Sequence, residues 1–77
     1  MPGMWQFTFD ARFAEKIEKE LREKGVRFRA LPIGSGRGST HSVYVSPNRV
    51  SFVRGIIENH TADYSEGRES QVPGDLP

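Results

Sequence analysis

The chain has 77 residues, no cysteine, 35% hydrophobic residues and a formal net charge of +1. Its length limits it to one small domain, and the lack of cysteine excludes disulfide frameworks and thiolate metal sites. Apolar runs cover only a few residues and the N-terminal MPGMW lacks the regions of a signal peptide, so we expect a cytoplasmic protein without a membrane partner.

The charged residues are distributed unevenly along the chain. Residues 1–21 carry a net charge of −1, residues 22–54 carry +6 and residues 55–77 carry −4. A basic middle segment followed by an acidic one indicates an anionic partner, or an acidic segment that screens the basic surface.

The first predicted element is a strand over residues 4–9. Trp5, Phe7 and Phe9 alternate with polar residues, a period that places the large aromatic side chains on one face of a strand. Asp10 follows as a candidate N-cap, because its carboxylate can accept hydrogen bonds from the free N–H groups of a first helical turn.

A helix is predicted after Asp10 and is expected to end at Gly25. Phe13, Ile17 and Leu21 repeat every four residues and form an apolar stripe, and Gly25 is typical of a left-handed C-cap. The polar face pairs acidic residues with basic residues four positions later. This pattern indicates a solvated surface rather than a catalytic one.

Two further strands are predicted on either side of a glycine-rich loop. Residues 26–30 alternate apolar and basic side chains, and this strand is expected to stop near Pro32, which cannot donate to a central ladder. Residues 41–45 alternate in the same way. The intervening segment 34–40, GSGRGST, is interpreted as a mobile connection. Anion binding by its backbone N–H groups and Arg37 is the functional alternative.

Residues 47–60 are compatible with a helix or with a strand. Pro47 suits the first position of a helix, and Val50, Val53 and Ile57 share one face of that helix. The β-branched and glycine content of the same segment instead favours a turn followed by a fourth strand.

The predicted fold class is α+β, with residues 1–60 as a single domain. The favoured architecture is a two-layer ferredoxin-like plait in the order βαββα, and the alternative is βαβββ with one covering helix. Residues 61–77 are polar and rich in Gly, Ser and Pro, so we expect a disordered C-terminal tail that is ordered only by a partner.

The basic middle segment suggests a binding surface on the sheet. If the aromatic face meets the helices, Arg27, Arg29 and Tyr44 lie on the opposite, open face, where guanidinium groups can bind phosphate and a ring can stack on a base. The first functional hypothesis is a non-enzymatic module for nucleic acid or another polyanion. Its candidate binding residues are Arg27, Arg29, Arg37, Tyr44, Arg49 and Arg54.

The second hypothesis is a protein-interaction, regulatory or inhibitor domain. An exposed sheet edge can pair with a strand of a partner, and the acidic C-terminal segment can supply further contacts. A homodimer is compatible with every hypothesis, because so small a core gains from a second subunit.

The third hypothesis rests on His41, since imidazole is the side chain that titrates near neutral pH. The spacing of Gly38, Ser39 and His41, with a β-prone run after Pro47, resembles the Gly-Ser-His segment and following hairpin of the HicA toxins, small RNA-cleaving proteins with a double-stranded-RNA-binding-like fold. The resemblance implies a ribonuclease in which His41 is the functional residue. It covers about a fifth of the chain, and Thr40 departs from the family pattern.

No cofactor and no metal ion are expected. The spacing of His41 and His60 does not require them to meet at a carboxylate, as a two-histidine metal site would. The glutamates of the first helix are explained by helix pairing, and no serine lies in a nucleophile elbow. Outside the ribonuclease hypothesis, we therefore expect no catalytic residue.

Overall fold

The computed structural model describes residues 4–33 and 38–69. This part of the chain forms β1 (Met4–Asp10), α1 (Ala14–Glu23), β2 (Arg29–Ile33), β3 (Thr40–Val45), α2 (Val50–Glu58) and β4 (Tyr64–Glu69). Short 3-10 turns, Ala11–Phe13 and Pro47–Arg49, lead into the two helices.

The strands form one antiparallel sheet in the order β2-β3-β1-β4. The two helices contact each other and contribute to a single core together with one face of the sheet. The predicted two-layer α+β fold is therefore confirmed, and the element order continues beyond βαββα with a final strand.

The core lies between the sheet and the helices. Phe7 and Phe9 are buried on the helix-facing side of β1, as the alternation predicted, whereas Trp5 is only partly buried at the edge of the core. The residues with no exposed surface that form its centre are Phe7, Ile17, Leu21, Val43, Val45, Val53 and Ile57.

Both predicted boundaries of the first helical segment are confirmed. The Asp10 carboxylate accepts a hydrogen bond of 2.9 Å from the backbone N–H of Arg12 and so caps the 3-10 turn that leads into α1. Gly25 has a φ of +73°, and the next residue, Val26, donates a backbone hydrogen bond of 2.9 Å to the carbonyl of Leu21. This left-handed turn ends the helix and directs the chain back to the sheet.

The helical interpretation of residues 47–60 is confirmed and the strand interpretation is wrong. Val50, Val53, Ile56 and Ile57 are buried against the sheet, so tertiary packing outweighs the β propensity of the segment. Neither α1 nor α2 is long and apolar enough to cross a membrane, and the described residues contain no other α-helix.

The second strand lies further along the chain than predicted. It covers Arg29–Ile33 instead of residues 26–30, and Pro32 lies inside it. β2 is the edge of the sheet and pairs only with β3. An edge strand tolerates proline because one side of its backbone needs no partner.

The prediction of a disordered tail over residues 61–77 is wrong for Tyr64–Glu69. These residues form β4, which pairs with β1 along its whole length. Tyr64 packs against the core, with its ring centroid 6.1 Å from that of Phe7. Residues 61–63 of the predicted tail connect α2 to β4, and residues 70–77 lie outside the described residues.

Candidate anion-binding site

Two of the three residues predicted for the open face of the sheet, Arg29 and Tyr44, lie on it, whereas Arg27 precedes β2 and lies outside the sheet. Gln6 of β1 lies opposite Tyr44 of β3, and Thr8 lies opposite Ser42. Arg29 of β2 also lies opposite Tyr44, on the other side of β3. Directly opposed residues share a face of the sheet, so these five side chains are all on the face that is not covered by α1 and α2.

Tyr44 is buried although it lies on the open face. The side-chain amide nitrogen of Gln6 lies 3.2 Å from both Ser42 Oγ and the Tyr44 hydroxyl, and Thr8 Oγ1 lies 3.0 Å from Ser42 Oγ. Tyr44 is only 3% exposed and Ser42 has no exposed surface. The ring of Tyr44 therefore does not form an exposed stacking platform, in contrast to the role expected from the sequence.

Two of the predicted binding residues, Arg27 and Arg49, line one cleft at an end of the sheet. The cleft has a volume of about 320 Å³, and its other lining residues are Gly25, Ser46 and Asn48. Both arginines are exposed to solvent. The four side chains present hydrogen-bond donors, and no carboxylate lines the cleft.

The pairing of β2 with β3 explains why these residues meet. Because the two strands are antiparallel, the residues before the start of β2 lie beside those after the end of β3. Arg27 is two residues before β2, following the turn at Gly25, and Ser46 directly follows β3. The 3-10 turn Pro47–Arg49 then brings Arg49 to the same end of the sheet.

Arg54 does not belong to this cleft. It extends from α2 to β4, where its Nε and Nη2 atoms donate hydrogen bonds of 2.9 and 2.7 Å to the two carboxylate oxygens of Glu66. This hydrogen-bonded pair raises the pKa of Arg54 and lowers the pKa of Glu66 from its usual value. Arg54 is therefore used to attach β4 to α2.

A second contact between the same elements involves Tyr64. Its hydroxyl donates a hydrogen bond of 2.6 Å to the Glu58 carboxylate at the end of α2. This bond to the carboxylate raises the pKa of Tyr64 to about 12. Two side chains of β4, Tyr64 and Glu66, thus have structural partners on the adjacent helix.

The structure does not bring the six predicted binding residues together on one surface. Arg27 and Arg49 share the cleft, Arg29 lies on the open face of the edge strand, and Arg54 pairs with Glu66. Arg37 lies outside the described residues.

His41 lies on the helix-facing side of β3, away from the open face. Its side chain is 15% exposed, and Nε2 lies 2.5 Å from Oε2 of Glu18 on α1. Its ring centroid is 6.2 Å from that of Phe9. This position gives His41 a structural contact between β3 and α1, and the ribonuclease hypothesis stays a prediction.

The second histidine makes a similar contact with α1. His60 Nε2 lies 2.9 Å from Oε1 of Glu20. Two glutamates of the predicted solvated face, Glu18 and Glu20, therefore contact histidines as well as basic residues in α1 or directly after it. Within residues 4–33 and 38–69, no three His, Asp or Glu residues are grouped so that they could hold a metal ion.

Sequence reasoning missed the two neutral residues of the cleft, Ser46 and Asn48. The available signal was their position: a polar turn directly after a strand places its side chains at the end of the sheet, next to the start of the neighbouring antiparallel strand.

No protein-family model matches the chain. Over 64 residues, which are 83% of the chain, it is 31% identical to a UPF0246 protein of Streptococcus gordonii. The matched region spans only 26% of that protein, about a quarter of its length. That name states no activity or ligand, so function must be inferred from the site.

Proposed function

We propose that the chain is a non-enzymatic module that binds nucleic acid, or another polyanion, through the cleft lined by Arg27 and Arg49. The observation that supports this function is the presence of two exposed arginines in one concave site whose neutral residues, Ser46 and Asn48, also offer donors. Guanidinium groups bind phosphate oxygens through two parallel hydrogen bonds.

The ion pairs of the surrounding segment support the choice of these two arginines. Arg22 lies 3.7 Å from Glu18, and Arg54 makes two hydrogen bonds with Glu66. By contrast, neither Arg27 nor Arg49 lies within ion-pair distance of a carboxylate among the described residues. An anionic ligand would not have to displace an internal carboxylate from either guanidinium group.

We also propose that the fold is a ferredoxin-like plait. The element order β1-α1-β2-β3-α2-β4 and the sheet order β2-β3-β1-β4 support this assignment, with both helices on one face. In this plait, the cleft lies at the end of the sheet where the α1–β2 connection meets the β3–α2 connection.

The test compares two double variants that change the charge equally. Arg27→Glu/Arg49→Glu reverses the charge of the cleft, whereas Lys16→Glu/Lys19→Glu reverses two exposed charges on α1. We expect the cleft variant to bind a labelled single-stranded RNA at least about tenfold more weakly than wild type, a loss of ~1.4 kcal/mol or more. The helix variant should retain nearly all of the affinity. Fluorescence anisotropy of the labelled RNA measures the dissociation constant of each protein.

The outcomes separate the proposed function from its alternatives. Equal losses in the two double variants would show that only net charge matters and would contradict a site at the cleft. Binding of heparin without binding of RNA would assign the cleft to a sulfated polyanion instead of nucleic acid. Circular dichroism of each variant establishes that the fold is retained.

A further inference from the structure

We infer that the cleft and Phe52 together form a site for one nucleotide that carries a phosphate monoester, such as the phosphorylated end of a strand. This inference rests on the proposed function and names its ligand more narrowly. It differs from the general hypothesis because internal phosphodiesters of a strand would not be the preferred group.

The first argument concerns the charge of the ligand. A phosphate monoester carries close to two negative charges at neutral pH and has three free oxygens, whereas a phosphodiester carries one charge and has two free oxygens. The cleft presents two guanidinium groups and two neutral donor side chains around about 320 Å³. This compact set of donors matches a single dianionic group better than a line of monoanionic ones.

The second argument concerns the base. Tyr44 is buried, so the open face of the sheet does not offer its ring for stacking. Phe52 is 47% exposed and is an aromatic side chain of α2. It follows Arg49 by three residues and Asn48 by four, and both of these lie in the 3-10 turn that leads directly into α2, so Phe52 is about one turn further along the chain.

Phe52 therefore lies within one helical turn of two residues that line the cleft. A phosphate bound by Arg27 and Arg49 would leave the attached nucleoside close to this ring, on which a base can stack. Only one other large apolar residue of the described chain is substantially exposed, Ile33 at 42%, and it lies at the opposite end of β2 from Arg27. One exposed ring, about one turn along the chain from one phosphate cleft, is the set of groups that a single nucleotide requires.

The experiment uses two strands of identical sequence, one with a 5′-phosphate and one with a 5′-hydroxyl, and a third strand with a 3′-phosphate. We expect wild-type protein to bind a phosphorylated strand at least about tenfold more tightly than the hydroxyl strand. The end that confers the preference defines the polarity of the site. Uridine monophosphate is the competitor, and tighter binding of this nucleotide than of any strand would identify free nucleotides as the source of the ligand.

Phe52→Ala tests the stacking contact, with Ile33→Ala as the matched control at the other exposed apolar residue. We expect Phe52→Ala to weaken binding of the phosphorylated strand at least about fivefold, and Ile33→Ala to leave it unchanged. The preference in affinity for the phosphorylated strand over the hydroxyl strand should disappear in Arg27→Glu/Arg49→Glu. It should persist in Lys16→Glu/Lys19→Glu.

Three results would overturn the inference in distinguishable ways. Equal affinity for phosphorylated and hydroxyl strands, with binding still dependent on Arg27 and Arg49, would refute the monoester site and leave the proposed function intact. Failure to bind any strand, nucleotide or heparin would refute both. Equal effects of Phe52→Ala and Ile33→Ala would remove Phe52 from the site.

Discussion

At the scale of single residues, the pair of Arg54 and Glu66 couples stability to pH. The hydrogen bonds from Arg54 lower the pKa of Glu66 below its ordinary value of 4.5. A lowered pKa in the folded state means that the contribution of Glu66 is fully present above its unfolded-state pKa and is lost as the pH falls through the folded-state pKa.

We therefore expect wild-type protein to lose more stability between neutral pH and about pH 3 than Glu66→Gln, which cannot titrate at this position. Urea unfolding at a series of pH values measures the free energy of unfolding for both proteins. If the free energy of unfolding changed with pH equally in both proteins over the acidic range, the Arg54–Glu66 pair would not contribute to stability. Because both groups are substantially exposed, the difference should be small and should decrease with added salt.

At the scale of elements, two glycines give the same substitution opposite effects. Gly25 has a φ of +73°, which L residues with a side chain adopt only at a cost, so Gly25→Ala should destabilise the protein by about 1 kcal/mol. Gly55 lies inside α2 and an added methyl group meets no atom within 4 Å. Gly55→Ala should stabilise the protein by about 0.5–1 kcal/mol.

Thermal or urea unfolding of the two variants measures these changes. Each protein serves as the control for the other, because the added group is the same methyl. Stabilisation by Gly25→Ala, or a loss of stability in Gly55→Ala, would contradict the conformations assigned to the end of α1 and the middle of α2.

The helices and strands differ in how well the sequence predicts them. β1, α1 and their caps depend on local periodicity and on single residues such as Asp10 and Gly25, and these were predicted. The helical state of α2 depends on burial of its valines and isoleucines against the sheet, so local propensity left two interpretations open. β4 was missed because its polar sequence carries no local strand pattern, and the strand forms through backbone pairing with β1 at the other end of the described chain.

At the scale of the whole molecule, the candidate site was predicted only in part. The arginine content of the middle segment indicated an anionic ligand, but the meeting of Arg27 and Arg49 depends on the pairing of β2 with β3 and on the turn into α2. Alternation correctly placed Tyr44 on the open face. The alternating pattern does not show that the Tyr44 side chain is buried on that face, because its burial depends on packing and on the contact with Gln6.

The salt dependence of the association constant is the sharpest test of anion binding by Arg27 and Arg49, since it counts the charge contacts that form. With Arg27 and Arg49 as the two contacts to a single-stranded ligand, a plot of log association constant against log salt concentration should have a slope of about −1.4. Arg27→Glu/Arg49→Glu should reduce the slope to near zero. A wild-type slope near zero, or an unchanged slope in the double variant, would contradict binding at this cleft.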